Sequence, residues 1–391
     1  MSAPPAPMVV PCKYRTGRVL GEGTYAVVKE GVHIETGKKY AVKVISKKLM
    51  EGKEHMIRNE INVLRRISVG HANILTMADS FETVNNLYLV TELAEGGELF
   101  DRICNKGSYY ERDAANLVRT ICSAVAYLHD QGIVHRDLKA STTDQAESKR
   151  HRHHSRHGYR PENLLFKTPD ENSELLIADF GLSRIIDQEK FHLLTTTCGT
   201  PGYMAPEIFK KSGHGKPVDM WAVGVITYFL LCGYTPFDRQ NSMDEVHAIL
   251  HAEFEFAPAE YWHGVSETAK SFVNGLLTAD PEHRMTAARA LQHPWLAQDQ
   301  QHLHQYQQQQ PSAEALQQQM QGYGGAGDMD GVVQHDLLPN MMARMRARTK
   351  FRNAIRAVSA INRMRGGKED PRHIQPEEVS HVLHREDEDM E

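Results

Sequence analysis

The sequence predicts an α+β protein in which a β-rich small lobe is followed by a larger helical lobe. Short β-branched runs come first, at residues 41–45 and 87–91, and helical periodicity dominates after about residue 99. The longest apolar stretch, residues 221–232, is too short to cross a bilayer and is typical of a buried core helix. Residues 14–297 are therefore expected to form the folded region.

The composition is that of a globular protein. The chain has 391 residues with 45 Lys+Arg against 50 Asp+Glu, 40% hydrophobic residues and a net charge of -5, which excludes a fibrous or wholly disordered chain. Its 5 cysteines are widely spaced without a C-x-x-C pair, which argues against a disulfide framework or a zinc ribbon.

The proline-containing residues 1–13 predict a disordered N-terminus and lack a signal-peptide pattern. We expect a cytoplasmic protein, with the nucleus as the alternative, without a membrane span and without a nucleic-acid partner.

The C-terminal third predicts three segments of different character. Residues 298–334 are rich in Gln and Gly and predict a linker. Residues 335–366 include eight Lys/Arg, all within 341–365, where no acidic residue occurs, and residues 367–391 form an acidic tail. Charge segregation of this kind is typical of interaction segments.

A glycine-rich motif, G-x-G-x-x-A-x-V at residues 21–28, is the first candidate phosphate-binding element in the small lobe. Gly21 and Gly23 would let backbone N–H groups approach phosphates, although a glycine-rich hairpin turn would look similar. Lys43 follows on a strand-like run and supplies a cation for α- and β-phosphates. Glu60, on an amphipathic stretch, could pair with Lys43 and orient it.

Three more motifs follow in order: HRDLK at 135–139, PENLL at 161–165 and DFG at 179–181. APE at 205–207 comes next, and then Asp219 and Arg284. Together with the glycine-rich motif, this ordered set resembles the eukaryotic protein kinase superfamily. The resemblance implies a two-lobed kinase fold in which Glu207, Asp219 and Arg284 brace the large lobe.

The resemblance also implies ATP and Mg²⁺ as cofactors. Asp137 would orient the substrate hydroxyl, and Lys139 would neutralise charge on the moving phosphoryl group. Asn163 and Asp179 would hold Mg²⁺ through hard oxygen ligands. The remaining nucleotide contacts are expected from Leu20, Gly21, Gly23, Val28, Ala41, Lys43, Glu60, the gatekeeper Thr91, the hinge residues Glu92 and Leu93, and Glu98.

Lys139 resembles the serine/threonine kinases, and the segments 87–93 and 96–101 are similar to the calcium/calmodulin-dependent group. In that group, Glu98 and Glu162 would attract a basic residue upstream of the phosphoacceptor; both could instead be plain surface acids. Protein substrates with an upstream basic residue are therefore expected.

The segment between Asp179 and Glu207 corresponds to an activation loop. A threonine two residues before Cys-Gly-Thr-Pro is Thr196, which the resemblance to calmodulin kinase I marks as the target of an upstream activating kinase. Phosphate there would offer negative charge to Arg136. Thr195 and Thr197 are competing sites, and an unmodified loop is the other alternative.

The basic segment 341–365 predicts an amphipathic helix with bulky anchors at 1-8-14 spacing. After a kinase domain of this type it indicates a binding segment for Ca²⁺-loaded calmodulin, although basic helices also bind anionic membranes or act as nuclear localisation signals. An autoinhibitory stretch is expected at about 335–351. The predicted calmodulin contacts are Phe351, Ile355, Val358 and Met364.

Metal binding outside the kinase motifs is not predicted. Residues 328–331 match only part of an EF-hand loop, so calcium is expected to act through calmodulin. The His-rich run 151–157 favours a solvated loop, with transition-metal binding as the alternative.

The catalytic loop departs from the family pattern. Lys139 should be followed at once by Pro161, but 21 polar and basic residues, 140–160, intervene. Since the pattern resumes on both sides, the hypothesis is that they are translated non-coding sequence. Two functions remain open: an active calmodulin-regulated kinase, or a pseudokinase or calmodulin-binding scaffold if the insertion blocks Mg²⁺ capture.

Overall fold

The computed structural model divides the chain into two compact units. The first unit contains Met1–Arg102 and Asp130–Gly199, and the second contains Ile103–His129 and Thr200–Glu391. The residues that the structure describes are 13–22, 26–49, 61–62, 64–65, 67–139, 163–178, 201–210, 215–239, 241–297 and 335–343.

The first unit is built on a five-stranded antiparallel sheet with the strand order β1-β2-β3-β5-β4. Both β-branched runs that the sequence pointed to lie in its centre, on β3 and β5. The strands are β1 Tyr14–Glu22, β2 Ala26–His33, β3 Lys39–Ser46, β4 Met77–Glu82 and β5 Asn86–Glu92.

The two faces of this sheet differ in chemistry. Val42 lies opposite Val90 in register, and both are fully buried in a cluster with Tyr14. Phe81 and Tyr88 stack on this cluster, with ring centroids 4.7 Å apart. Because side chains alternate along a strand, the neighbouring positions, among them Lys43, belong to the opposite face.

A short two-stranded sheet completes the first unit. It pairs β6 (Leu164–Phe166) with β7 (Leu175–Ile177), and neither strand was predicted. The Leu75 N–H donates to the Ile177 carbonyl at 2.9 Å, and the Ile177 N–H donates to the Asn73 carbonyl at 2.8 Å. These bonds fix the chain directly before Asp179.

The second unit is helical, as predicted. Two 3₁₀ turns, Lys47–Leu49 and Pro201–Tyr203, also occur along the chain. The helices are α1 Leu99–Cys104, which connects the two units, α2 Glu111–Asp130, α3 Pro206–Phe209, α4 Pro217–Cys232, α5 Ser242–His251, α6 Ala259–Trp262, α7 Glu267–Leu276 and α8 Ala287–Leu291.

Helix α4 confirms the predicted core helix. Every residue from Val218 to Cys232 is buried, as expected for a helix that is apolar all round. Pro217 begins the helix, and Gly233 ends it with φ 84°, donating its N–H to the Phe229 carbonyl at 2.8 Å. Among the described residues, none of the helices combines the length and apolarity that a membrane span needs.

Three of the five cysteines lie within the described residues. Within the described part of the chain, Cys104, Cys122 and Cys232 are all free. Burial raises the pKa of the Cys122 thiol to about 12, so this thiol stays protonated and packs as a small apolar group.

Two buried polar pairs connect distant parts of the second unit. The Arg284 guanidinium donates to both carboxylate oxygens of Glu207, at 2.7 and 2.9 Å, and lies 4.9 Å from the ring centroid of Trp221. His129 Nε2 lies 2.8 Å from Asp219 Oδ2 in a second buried pair. The residues expected to brace the large lobe therefore do make buried polar contacts.

Replacing Arg284 with alanine should strongly destabilise the second unit, because it removes the guanidinium that donates to both oxygens of the buried Glu207 carboxylate. We expect Arg284→Ala to lower the free energy of unfolding by about 3 to 5 kcal/mol. Urea unfolding followed by tryptophan fluorescence measures this change, since all three tryptophans (Trp221, Trp262 and Trp295) lie in the second unit.

The matched control is Arg289→Ala, because Arg289 is exposed on α8. It should change the free energy of unfolding by no more than about 0.5 kcal/mol. Equal losses for both variants would show that the buried ion pair does not stabilise this unit.

Candidate active site

Strand register brings the predicted phosphate-binding residues of the first unit together. Gly21 on β1 lies opposite Val28 on β2, and Val28 lies opposite Lys43 on β3. Directly opposed residues on antiparallel strands share a face of the sheet. Gly21, Val28 and Lys43 therefore lie in one row across three strands and on one face of the sheet, although 22 positions separate Gly21 from Lys43 in the sequence.

The same face continues to the predicted gatekeeper and hinge. Ala41 lies opposite Thr91 on β5 and two residues from Lys43, so all three share this face. Leu20 is 39% exposed, which leaves an apolar side chain accessible to a ligand. At the end of β5, the Glu92 carboxylate accepts the Thr76 N–H at 2.8 Å and fixes the start of the hinge.

A buried histidine supports the catalytic loop. His135 is 0% exposed, and its Nε2 lies 2.9 Å from the Ala178 carbonyl. With Nε2 as the donor, Nδ1 is the acceptor and receives the Asp137 N–H at 3.3 Å. His135 therefore connects the backbone of Asp137 to the residue before Asp179.

Asn163 joins the two sides of the catalytic loop. Its side-chain amide donates to the Asp137 carbonyl, and its Oδ1 accepts the Lys139 N–H at 3.0 Å. The Lys139 ammonium in turn lies 3.1 Å from Asp137 Oδ2. These contacts gather the three predicted catalytic-loop residues, even though Lys139 and Asn163 are 24 positions apart.

Asn163, one of the two predicted Mg²⁺ ligands, offers the kind of oxygen donor that a hard cation prefers. Asn163 is 3% exposed, and its amide oxygen keeps one lone pair beyond the Lys139 bond. The Asp137 carboxylate is 41% exposed and is thus accessible to a substrate. The Ala178 N–H donates to the Asn163 carbonyl at 2.8 Å, which fixes the backbone on which the predicted ligand Asp179 follows.

Several predicted site residues are outside the described part of the chain. Nothing in the structure tests their assignments, which stay predictions. They are Gly23, Glu60, Glu162, Asp179, Thr196, Phe351, Ile355, Val358 and Met364.

The sequence pattern shows His135 only as a member of the HRDLK motif and does not predict its role. Its position two residues before Asp137 was visible, but its bond to Ala178 joins positions 43 residues apart and has no local signal. The bond from Thr76 to Glu92 was missed for the same reason.

Comparison with known proteins identifies the family. The protein kinase domain family matches residues 14–142 and 151–296. The break between these two stretches lies inside the insertion at 140–160.

Individual relatives agree with this match. A calcium/calmodulin-dependent protein kinase, cmkB, of Emericella nidulans is 57% identical over 359 residues, covering 92% of this chain and 78% of the relative. The calcium/calmodulin-dependent protein kinase type I of Schizosaccharomyces pombe is 51% identical over 354 residues, covering 90% of each chain. The myosin light chain kinase A of Dictyostelium discoideum is 45% identical over 284 residues, covering 72% of this chain and 88% of the relative. The chain therefore belongs to the protein kinase family, as a serine/threonine kinase of the calcium/calmodulin-dependent type I group.

Proposed function

We propose that this chain transfers the γ-phosphate of ATP to serine or threonine hydroxyls of protein substrates, under control of Ca²⁺-loaded calmodulin. The observation that carries the proposal is the pair of Asn163 bonds to Asp137 and Lys139. They hold the catalytic loop together across the 21 inserted residues. Misplacement of such groups by about 1 Å can cost about 100-fold in rate.

Each catalytic-loop residue has a role that its geometry favours. The accessible Asp137 carboxylate orients the substrate hydroxyl and accepts its proton. The Lys139 ammonium, beside Asp137, stabilises charge that develops on the transferred phosphoryl group. His135 positions the Asp137 backbone and does not touch the substrate.

ATP and Mg²⁺ would supply the phosphoryl group and neutralise its charge. Asn163 and Asp179 are the proposed metal ligands, and Lys43 holds the phosphates from the sheet. The adenine would lie against the face that carries Ala41 and Thr91. Glu98 and Glu162 favour protein substrates with a basic residue upstream of the phosphoacceptor.

The alternative, a pseudokinase or calmodulin-binding scaffold, rests on the insertion. It is less well supported, because the sequence retains Lys43, Asp137 and Asp179, and a long-inactive scaffold has no physical need of all three. The origin of residues 140–160 stays a hypothesis. Sequencing the mature transcript tests it, because finding the segment in every message would exclude translated non-coding sequence.

Autoinhibition by the C-terminal segment is part of the proposal, and residues 335–343 support it. We call this stretch the tail anchor. Leu337 and Met341 are each only 1% exposed. The Leu337 N–H donates to the Tyr109 carbonyl at 2.7 Å, and Asp336 Oδ1 accepts the Tyr109 N–H at 3.0 Å. The start of the predicted regulatory segment is thus packed on the second unit.

Two glycines make room for the tail anchor. A Cβ atom on Gly264 would lie 2.6 Å from His335 Cβ, and one on Gly233 would lie 2.8 Å from Met341 Cα. These contacts leave no space for side chains. The tail anchor ends at residue 343, and the first predicted calmodulin contact is Phe351. Calmodulin bound at Phe351 would therefore favour a state in which the tail anchor is released from the second unit.

Cytoplasmic localisation, with the nucleus as the alternative, and activation by an upstream kinase complete the proposal. The activating site is Thr196, near the catalytic-loop residue Arg136 in the family pattern. Arg136 has φ 69°, a left-handed conformation that a non-glycine residue keeps only where its surroundings enforce it.

Removing the Asp137 carboxylate should abolish catalysis and leave the fold intact. We expect Asp137→Asn to lower phosphate transfer to a basic-directed serine peptide by about 10² to 10⁴-fold, measured with Mg-ATP and Ca²⁺/calmodulin. Asp130→Asn, at the exposed end of α2, is the matched control and should keep full activity. Undiminished transfer by Asp137→Asn would contradict the assigned role.

Loosening the tail anchor should reduce the need for calmodulin. Leu337→Asp places a charge in a buried apolar site and should raise activity without Ca²⁺/calmodulin by about tenfold or more. Peptide phosphorylation with and without Ca²⁺/calmodulin measures this change. Asp336→Ala, which removes an acceptor and no packed apolar group, should act in the same direction.

The control for this experiment is Ala343→Asp, which adds the same charge at an exposed position of the tail anchor. It should stay as dependent on calmodulin as the native chain. If Leu337→Asp and Asp336→Ala both keep native dependence, the anchor does not contribute to autoinhibition.

Thr196 should account for activation beyond calmodulin. Preincubation with an activating kinase should increase the activity of the native chain and of the Thr195→Ala and Thr197→Ala variants, but not that of Thr196→Ala. The comparison measures peptide phosphorylation in saturating Ca²⁺/calmodulin. Full activation of Thr196→Ala would move the regulatory site to another residue.

A further inference from the structure

Three side chains that could bind a metal ion meet at the C-terminal end of helix α5. They are His247, His251 and Glu253, all exposed, and one ligand atom from each lies within 4.8 Å of the others. No other group of this kind is found within the residues that the structure describes. The group has no part in the catalytic loop and belongs to the second unit.

The helix sets the positions of both imidazoles. His247 and His251 are four residues apart, so they lie on the same face of α5, with ring centroids 4.3 Å apart. His251 Nδ1 lies 2.9 Å from the His247 carbonyl and donates to it. Its Nε2 is then the unprotonated nitrogen, the arrangement that second-shell bonds give to metal-binding histidines.

The backbone turn at the C-terminal end of α5 places Glu253 beside the two histidines. The Glu253 N–H donates to the Ala248 carbonyl at 2.8 Å, and the Ala252 N–H donates to the Ile249 carbonyl at 3.1 Å. This is a Schellman motif, in which glycine usually occupies the left-handed position. Here Ala252 occupies it with φ 53°. As a result, Glu253 Oε2 lies 3.5 Å from His247 Nδ1.

The electrostatic setting favours a cation. The C-terminal end of a helix is the negative end of its backbone dipole, and Glu253 adds a carboxylate. The side chains of His247 and Glu253 are 64% and 56% exposed, so an ion can reach them from solvent. The Arg239 guanidinium donates to the backbone carbonyl of Glu253 at 2.7 Å and so fixes the Glu253 backbone.

We propose that His247, His251 and Glu253 bind one Zn²⁺ ion, with water as the fourth ligand. Two imidazoles and one carboxylate, with a water molecule, can bind Zn²⁺ in tetrahedral geometry. Mg²⁺ and Ca²⁺ are less suited to this site, because they prefer oxygen ligands to imidazole nitrogen. The bound ion would connect the last turn of α5 to the chain that follows it. This site is independent of the proposed kinase function.

The test must resolve individual histidines, because the chain has 22 of them and the run at 151–157 can also bind metal. Diethyl pyrocarbonate modifies accessible unprotonated imidazole nitrogens, and peptide mass spectrometry locates each modification. We expect micromolar ZnCl₂ to protect His247 and His251 of the full chain. His283 is the internal control, since it is 78% exposed and has a single carboxylate neighbour, Asp280, at 2.7 Å; it should stay reactive.

Variants separate this site from metal bound elsewhere. His247→Asn should raise the ZnCl₂ concentration that half-protects His251 by at least about tenfold, because one of three ligands is lost. Glu253→Gln should act in the same direction, and His283→Asn should leave the half-protecting concentration unchanged. Equal modification of His251 with and without ZnCl₂ would overturn the proposal, and so would protection that persists in His247→Asn.

Discussion

The hydrogen bonds of the Asn163 side chain are the constraint on which the active site depends. One amide donates to the Asp137 carbonyl and accepts the Lys139 N–H, so a single side chain fixes the backbone at the middle and at the last residue of the HRDLK motif. Asn163 is itself fixed by β6, which begins at the next residue, and by the Ala178 N–H. Lengthening a loop adds little to the entropy cost of closing it. The hydrogen bonds from Asn163 to Asp137 and Lys139 can therefore form even though 21 residues are inserted between Lys139 and Pro161.

The two units contribute differently to function. The sheet of the first unit places Lys43 and Thr91 on one face through strand register, and the catalytic loop belongs to the same unit. The second unit is held by the buried pair of Arg284 and Glu207 and receives the tail anchor. The predicted catalytic-loop residues and the tail anchor therefore belong to different units.

Much of the fold could be predicted from the sequence, because its signals are local. Periodicity and length predicted the strands β3 and β5 and the apolar helix α4, and the ordered motifs predicted the protein kinase family. The strands β6 and β7 were not predicted, because each has only three residues and is too short to show a periodic pattern. The roles of His135 and Asp336 were not predicted either. His135 bonds to Ala178 and Asp336 bonds to Tyr109, and both partners are distant in the sequence.

The most direct test of the closed catalytic loop compares the full chain with a version that lacks residues 140–160. Both would be assayed for phosphate transfer from ATP to a basic-directed serine peptide, in saturating Ca²⁺/calmodulin. If Asn163 closes the loop across the insertion, the two chains differ in kcat/KM by no more than about tenfold, or about 1.4 kcal/mol in activation free energy. An inactive full chain beside an active shortened chain, with both binding calmodulin, would show that the inserted residues disrupt the site.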